Sequence, residues 1–170
     1  AWDRTRANNG TMLLRIEDID QSRARAKWEA AIFDDLAWLG LSWPKPVIRQ
    51  SRRQAAYDDA LRTLWDRGLL YPCTCTRRDI AQALSAPQEG APSHGPDGLI
   101  YPGTCRSKPR PANPATDLAL RLDMSLAVQT LAQDLFFQES GDQHGARQIN
   151  VDPAELIEAI GDVVLALRKV

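Results

Sequence analysis

The stretch TMLLRIEDIDQSRARAKWEAAIFDDLAWLG, residues 11–40, sets the reading of the fold. It opens with an apolar run, Met12 to Ile16, that passes at once into Glu17, Asp18 and Asp20, the pattern of a buried strand delivering carboxylates at its C-terminal end. Ser22 stands where a side-chain oxygen can cap a helix, and Trp28, Ile32, Leu36 and Leu39 recur at helical spacing until Gly40 stops it. A strand with a helix packed on it is the unit of an α/β sheet, and in open α/β sheets ligands bind beyond the carboxyl ends of the strands. Glu17 is therefore a candidate site residue. Acidic residues in that place also often cap the next helix, or pair with an arginine such as Arg15 or Arg23.

Upstream, WDRTRANNG (2–10) reads as the tail of a helix closed by Asn9-Gly10 in the left-handed capping position, and the chain, which has no initial methionine, reads as if something preceded it. Downstream, LSWPKPVIRQ (41–50) holds two prolines and is expected to be an extended connection. Ser51 and Gln54 form a capping-box pattern for a second helix with Tyr57, Leu61, Leu64 and Trp65 on its inner face and Gly68 at its end. LLYPC (69–73) is a short strand, and Thr76 with Asp79 opens a short helix running through Leu84. From Ser85 to Gly98 the composition turns to Ala, Pro, Gly, Ser and Gln, which predicts a mobile surface loop. Order resumes at LIYPGTC (99–105). DLALRLDM (117–124) alternates as a half-buried strand, QDLFFQES (133–140) is a further strand, and Asp152, Pro153 and Glu155 begin a helix closed by Gly161. DVVLALRKV (162–170) reads as a strand cut short.

The composition bounds the function. With 170 residues, 44% hydrophobic, and a net charge of -1, the chain can fill one core but has no generally basic surface, so contact with nucleic acid would depend on local arginines. Arg52, Arg53, Arg77, Arg78, Arg106, Lys108 and Arg110 read as solvated surface. No apolar run approaches the roughly 20 residues a membrane span needs, and no signal pattern opens the chain, so no membrane contact and a cytoplasmic location are expected.

The three cysteines are an odd number, and Cys73 and Cys75 lie too close together for an easy bridge, which argues for reduced thiols, free or on a metal. Cys105 returns at the far side of the Gly/Pro-rich excursion, a placement that suits a metal clip closing a loop too poor in apolar residues to fold alone. Three thiolates are one donor short of a closed tetrahedral zinc site. Tyr101 and His94 are the candidates for the fourth.

LLRIEDIDQSRARAKWEAAIFDDLAWLGLSW (13–43), IRQSRRQAAYDDALRTLWDRGLLYPCTCTRRDI (48–80) and YPGTC (101–105) together resemble the class I glutamyl-tRNA synthetases, and within them their short branch, the glutamyl-Q tRNA(Asp) synthetase family. The likeness runs from about Trp2 to Leu165. It implies a partial Rossmann-like α/β catalytic core over 1–72, an inserted zinc-binding subdomain over 73–116, and a connective region over 117–170 that returns toward the core. It implies ATP-dependent activation of L-glutamate and transfer of that glutamate to queuosine at the wobble position of tRNA(Asp), by a monomer with one structural zinc. Glu17 matches the carboxylate that holds the ammonium of glutamate. Cys73, Cys75, Tyr101 and Cys105 match the zinc ligands, which selects Tyr101 over His94.

The chain also departs from that family. No histidine-containing signature occupies a first strand-to-helix turn, and the four lysines, Lys27, Lys45, Lys108 and Lys169, stand in no K-x-S-K setting. Those two motifs supply the electrostatic stabilisation of the α-phosphate, so the 170 residues alone are expected to be inactive, with apolar surface left open where a first strand would lie. Two other readings remain: a noncatalytic zinc-binding module, and a piece of a full-length glutamyl-tRNA synthetase.

Overall fold

The structure is a computed structural model that describes residues 1–85, 93–96, 98–115, 117–139 and 145–167. Two compact units divide it, Ala1–Asp59 and Ala60–Val170.

The first unit begins with α1 (Trp2–Ala7), which ends as its sequence implies: Asn9 takes a φ of 51° and the Gly10 N–H returns to the Thr5 carbonyl at 2.8 Å. β1 (Arg15–Ile16), α2 (Ala26–Trp38) and β2 (Ile48–Arg49) follow, with β1 and β2 parallel in the register Arg15↔Ile48, Ile16↔Arg49. Residues 11–40 announce the strand and the helix; the second strand lies within 41–50, where an extended connection is expected, and completes a β-α-β crossover.

Four details differ from the sequence expectation. The strand expected from Met12 pairs only at Arg15 and Ile16, because its partner is short: Pro46 has no N–H to offer and the chain turns into a 3-10 helix at Gln50. Ser22 caps no helix. The Asp20 carboxylate instead accepts from the Ser22 and Arg23 N–H groups at 3.1 and 3.3 Å, closing a turn, and α2 starts only at Ala26. Ser51 and Gln54 form no capping box, since the Ser51 N–H donates to Asp18 at 2.9 Å and Gln50–Arg53 is 3-10 helix leading into α3 (Gln54–Asp66). The apolar face expected of α2 is largely open, with Trp28, Ile32 and Leu39 exposed, for two strands of two residues offer too little surface to cover it. Phe33 on the same helix stacks on Trp43, ring centroids 5.9 Å apart.

The second unit is built on a three-stranded antiparallel sheet. α3 runs across the division and ends at Gly68, whose φ of 80° only glycine adopts freely. Then come β3 (Leu70–Cys73), α4 (Arg77–Ser85), a small hairpin of β4 (His94–Gly95) and β5 (Gly98–Leu99), β6 (Ala119–Leu122), α5 (Met124–Gln129), a second hairpin of β7 (Phe136–Glu139) and β8 (Arg147–Asn150), α6 (Pro153–Glu155) continuing as a π-turn over Leu156–Ile160, and β9 (Val164–Ala166). The sheet order is β3-β6-β9. Pro72 is tolerated in β3 because that strand is an edge. Of the loop expected over Ser85–Gly98, residues 86–92 and 97 lie outside the described residues, and its far end carries β4 and the start of β5.

Period-2 alternation gives β3 and β6 two different faces. Leu70, Leu120 and Leu122 pack with Leu61, Leu64 and the fully buried Trp65, the inner face expected of α3. Each buried leucine of this kind contributes about 1.5–3 kcal/mol. On the other face, Tyr71, Cys73 and Ala119 pack with Tyr101, Cys105, Cys75 and Ile80. The strand expected to be half-buried is thus covered on both sides at Leu120 and Arg121, the polar side by side chains rather than by water.

Candidate functional site

Two places gather chemistry, one in each unit. In the first, the end of β1 opens on a cleft of about 950 Å³ lined by Glu17, Asp18, Asp20, Trp28, Ile32 and Arg49 among others. Two of its carboxylates are committed to the backbone. Asp18 holds Ser51, and hydrogen bonds from that residue lower its pKa; Asp20 is brought down to about 2, first by Ser22 and then by Arg23. Arg49 is paired with Glu29. Glu17, with a side chain 65% exposed, holds only Arg15 among the described residues, 2.7 Å away. An exposed pair of that kind contributes little to stability and is readily exchanged for a ligand's cation. The sequence places Glu17 correctly at the end of a strand, and its pairing with Arg15 is also one of the two partners foreseen for it.

In the second unit the three thiols converge: the Cys73, Cys75 and Cys105 sulfurs all lie within 4.8 Å of one another, and Cys75 and Cys105 are 3.5 Å apart. Each is set by a local device. Cys73 is the last residue of β3, and Cys75 sits just ahead of α4, whose start is fixed by reciprocal Thr76–Asp79 bonds of 2.8 and 3.2 Å, the capping pattern read in the sequence. Cys105 rides a turn in which Arg106 N–H donates to the Gly103 carbonyl at 2.9 Å and Gly103 has a φ of 78°.

The Tyr101 hydroxyl joins the sulfurs, 3.4 Å from Cys73 Sγ and 3.5 Å from Cys75 Sγ, while accepting the Cys105 N–H at 2.9 Å. His94 does not join them. It is exposed on β4 and its Nδ1 meets Ser93 Oγ at 3.0 Å. Bond lengths of about 2.3 Å to sulfur and about 2.0 Å to oxygen put sulfurs about 3.8 Å apart and oxygen and sulfur about 3.5 Å apart in a tetrahedral zinc site. The spacing here fits such an ion, and the three cysteines could hold one. Burial raises the Cys75 thiol and the Tyr101 phenol. Burial also opposes ionisation of Cys105, but hydrogen bonds from Tyr101 and Thr74 prevail and bring that thiol down to about 6.

A second layer escapes sequence reading. Arg121 on β6 donates through Nε to Cys73 Sγ at 3.4 Å and through Nη1 to the Asp162 carbonyl at 2.7 Å. The Asp162 carboxylate receives the Tyr71 hydroxyl, Arg106 at 2.8 Å and the Met124 N–H at 2.9 Å. The only signal is a negative one and concerns Arg121: a charged side chain placed in a strand otherwise rich in leucine.

A parallel crossover feeding a carboxylate into a cleft in one unit, and a strand ending in clustered thiols in the other, are the parts of a class I aminoacyl-tRNA synthetase catalytic domain. Residues 1–97 match the family model of tRNA synthetases class I (E and Q), catalytic domain, and the chain belongs to that family. It is 55% identical over 172 residues to a glutamyl-Q tRNA(Asp) synthetase of Rhodobacter capsulatus, covering 99% of this chain and 59% of that protein. With the glutamyl-Q tRNA(Asp) synthetase of Rhodopirellula baltica it shares 45% identity over 108 residues, 63% of this chain and 33% of the relative. The chain therefore spans about three fifths of the first relative's length and a third of the second's. In fold it is similar to a glutamate tRNA ligase from Elizabethkingia meningosepticum, crystallised with its amino acid, with a TM-score of 0.52 at 19% identity over 94% of this chain and 34% of that one. Among the described residues, no helix is long and apolar enough to cross a membrane.

Proposed function

We propose that the chain is part of a tRNA-modifying ligase of the glutamyl-Q tRNA(Asp) synthetase type, which activates L-glutamate with ATP and transfers it to queuosine at the wobble position of tRNA(Asp). The observation that carries this reading is the exposed Glu17 carboxylate at the end of β1, on the wall of the cleft. Its partner Arg15 is exchangeable, so Glu17 is free to take the ammonium of glutamate, and Asp18, tied to Ser51, keeps the strand end and the following turn together around that position. Cys73, Cys75, Cys105 and Tyr101 are the donors for one zinc ion, which supplies a structural clip. In this division residues 1–72 are the Rossmann-like core, 73–116 the zinc-binding insertion and 117–170 the connective region, in a cytoplasmic monomer.

The test is glutamylation of three RNAs, tRNA(Asp) with queuosine, tRNA(Asp) without it, and tRNA(Glu), by a protein that includes this chain. Label on the queuosine-bearing RNA alone is expected, and Glu17→Gln is expected to raise KM for glutamate about tenfold or more through loss of a charged hydrogen bond. Equal labelling of tRNA(Glu), or a glutamate KM unmoved by Glu17→Gln, refutes the assignment. The 170 residues alone, whose lysines stand in no K-x-S-K, are expected to give no glutamate-dependent pyrophosphate exchange.

A further inference from the structure

Arg121 is a buried cation with no carboxylate of its own. It lies on the middle strand β6 opposite Tyr71, is 9% exposed, and among the described residues forms no ion pair. The nearby Asp162 carboxylate is taken by Arg106, so Arg121 reaches only that residue's main-chain carbonyl. Burying a guanidinium without an anion is costly, and arginine is found inside proteins chiefly when paired. What faces Arg121 instead is the thiol cluster: its Nε is 3.4 Å from Cys73 Sγ, and its Cζ is 3.8 Å from the centroid of the Tyr101 ring.

We infer that Arg121 is the built-in counter-cation of the thiolate centre, a positioning residue that offsets the sulfur charge through Cys73 and holds the Tyr101 ring so that its hydroxyl stays among the sulfurs. It rests on the reading of Cys73, Cys75, Cys105 and Tyr101 as metal donors. Three thiolates around a divalent ion leave one net negative charge, and two where Tyr101 binds as phenolate, in a site whose residues Cys73, Tyr101 and Cys105 are all buried. Arg121 offsets one of them. The planar guanidinium suits both tasks at once, donating from its edge to sulfur and to the Asp162 carbonyl while its face covers the aromatic ring. Partners of this kind around a metal site typically change its affinity 10- to 100-fold when removed.

The experiment uses the full chain loaded with zinc or, for its spectrum, with Co(II). Arg121→Gln removes the charge but keeps an amide that can donate to the Asp162 carbonyl; Arg121→Lys restores the charge without the planar fork. In the Gln variant, zinc affinity measured against a competing chelator is expected to fall about 10- to 100-fold, and the thiolate-to-Co(II) charge-transfer band to saturate at correspondingly higher cobalt. The Lys variant, which keeps the charge but not the planar fork, is expected to lose less than about tenfold. Near-ultraviolet circular dichroism checks that each variant is folded. A folded Gln variant with the parent's affinity overturns the inference, as does a Lys variant that loses as much as the Gln variant. If Arg121→Gln does not fold, Arg121→Lys decides alone, and a folded Lys variant weakened tenfold or more overturns it. A parent chain showing no thiolate-to-Co(II) band overturns the donor assignment and this inference together, whereas a normal band in the parent and in both variants overturns only the role of Arg121.

Discussion

Replacing Tyr101 by Phe takes one oxygen atom out of the thiol cluster and leaves a buried ring in place, so its two consequences separate. The first is independent of metal. The Cys105 N–H loses its 2.9 Å acceptor in a fully buried position, and an orphaned donor there costs about 1–3 kcal/mol. The second appears only with metal, because the oxygen at 3.4 and 3.5 Å from two of the sulfurs is the proposed fourth donor. With free zinc buffered at 100 times the parent's dissociation constant, binding stabilises the parent by about 2.7 kcal/mol, and a variant bound tenfold more weakly gains only about 1.4 kcal/mol. Urea denaturation with buffered zinc and with chelator therefore should show Tyr101→Phe lowered under both conditions, with a metal-dependent increment about 1.3 kcal/mol smaller than the parent's. His94→Ala should change neither quantity, since that side chain is exposed and, among the described residues, meets Ser93 rather than the sulfurs. A Tyr101→Phe protein that keeps the whole increment, or a His94→Ala protein that loses it, would show that the phenol is not the donor.

Two further outcomes test the surroundings of the sites. Gly95→Ala should lower the denaturation midpoint, by about 1–3 kcal/mol of overpacking, because a Cβ there would lie 1.9 Å from the Ala159 carbonyl oxygen and that neighbour is backbone; an unchanged midpoint refutes the packing of β4 on the π-turn. The Asp20 carboxyl should titrate at about 2 by NMR, and Ser22→Ala should move it back toward the ordinary value of about 4, Ser22 being its leading hydrogen-bond partner. Since the folded pKa is the lower one, the stability it confers is complete above about pH 4 and fades as pH falls toward 2; an ordinary titration in the parent refutes the turn geometry.

What the sequence reveals is what short-range chemistry decides. Asn9-Gly10, Thr76 with Asp79, and Asp152 with Pro153 each act within a few residues, and each ends or opens its helix as its pattern implies. Ser51 carries the same kind of pattern and fails, because Asp18, 33 residues away in the chain, takes its hydrogen bonds. Ser22 fails more locally, outcompeted by a carboxylate two residues earlier. Periodicity tells which residues share a face but not what covers it: the apolar stripe of α2 is correctly a stripe and is left largely open, while the polar side of β6 is correctly a side and is buried. The cysteine spacing brings the three thiols together in principle, yet it leaves Tyr101 and His94 level; the family resemblance favours Tyr101, and the structure puts that hydroxyl beside the sulfurs while His94 meets Ser93.

The thiol cluster and the leucine–tryptophan core are opposite faces of the same two strands, which would give the proposed metal site a reach beyond its donors. Cys73 holds the end of β3, Leu70 on that strand packs on Trp65, and Arg121 on β6 touches Cys73, Tyr101 and Asp162 together. Asp162 in turn fixes Tyr71, Arg106 and the start of α5. A sheet with a proline in its edge strand and only four residues paired between β3 and β6 has few main-chain bonds to spare, so the side chains around the sulfurs have to supply part of its rigidity. An ion held as proposed at Cys73 would then tighten the strand that carries the hydrophobic core, and its removal would loosen more than the excursion between Cys75 and Cys105.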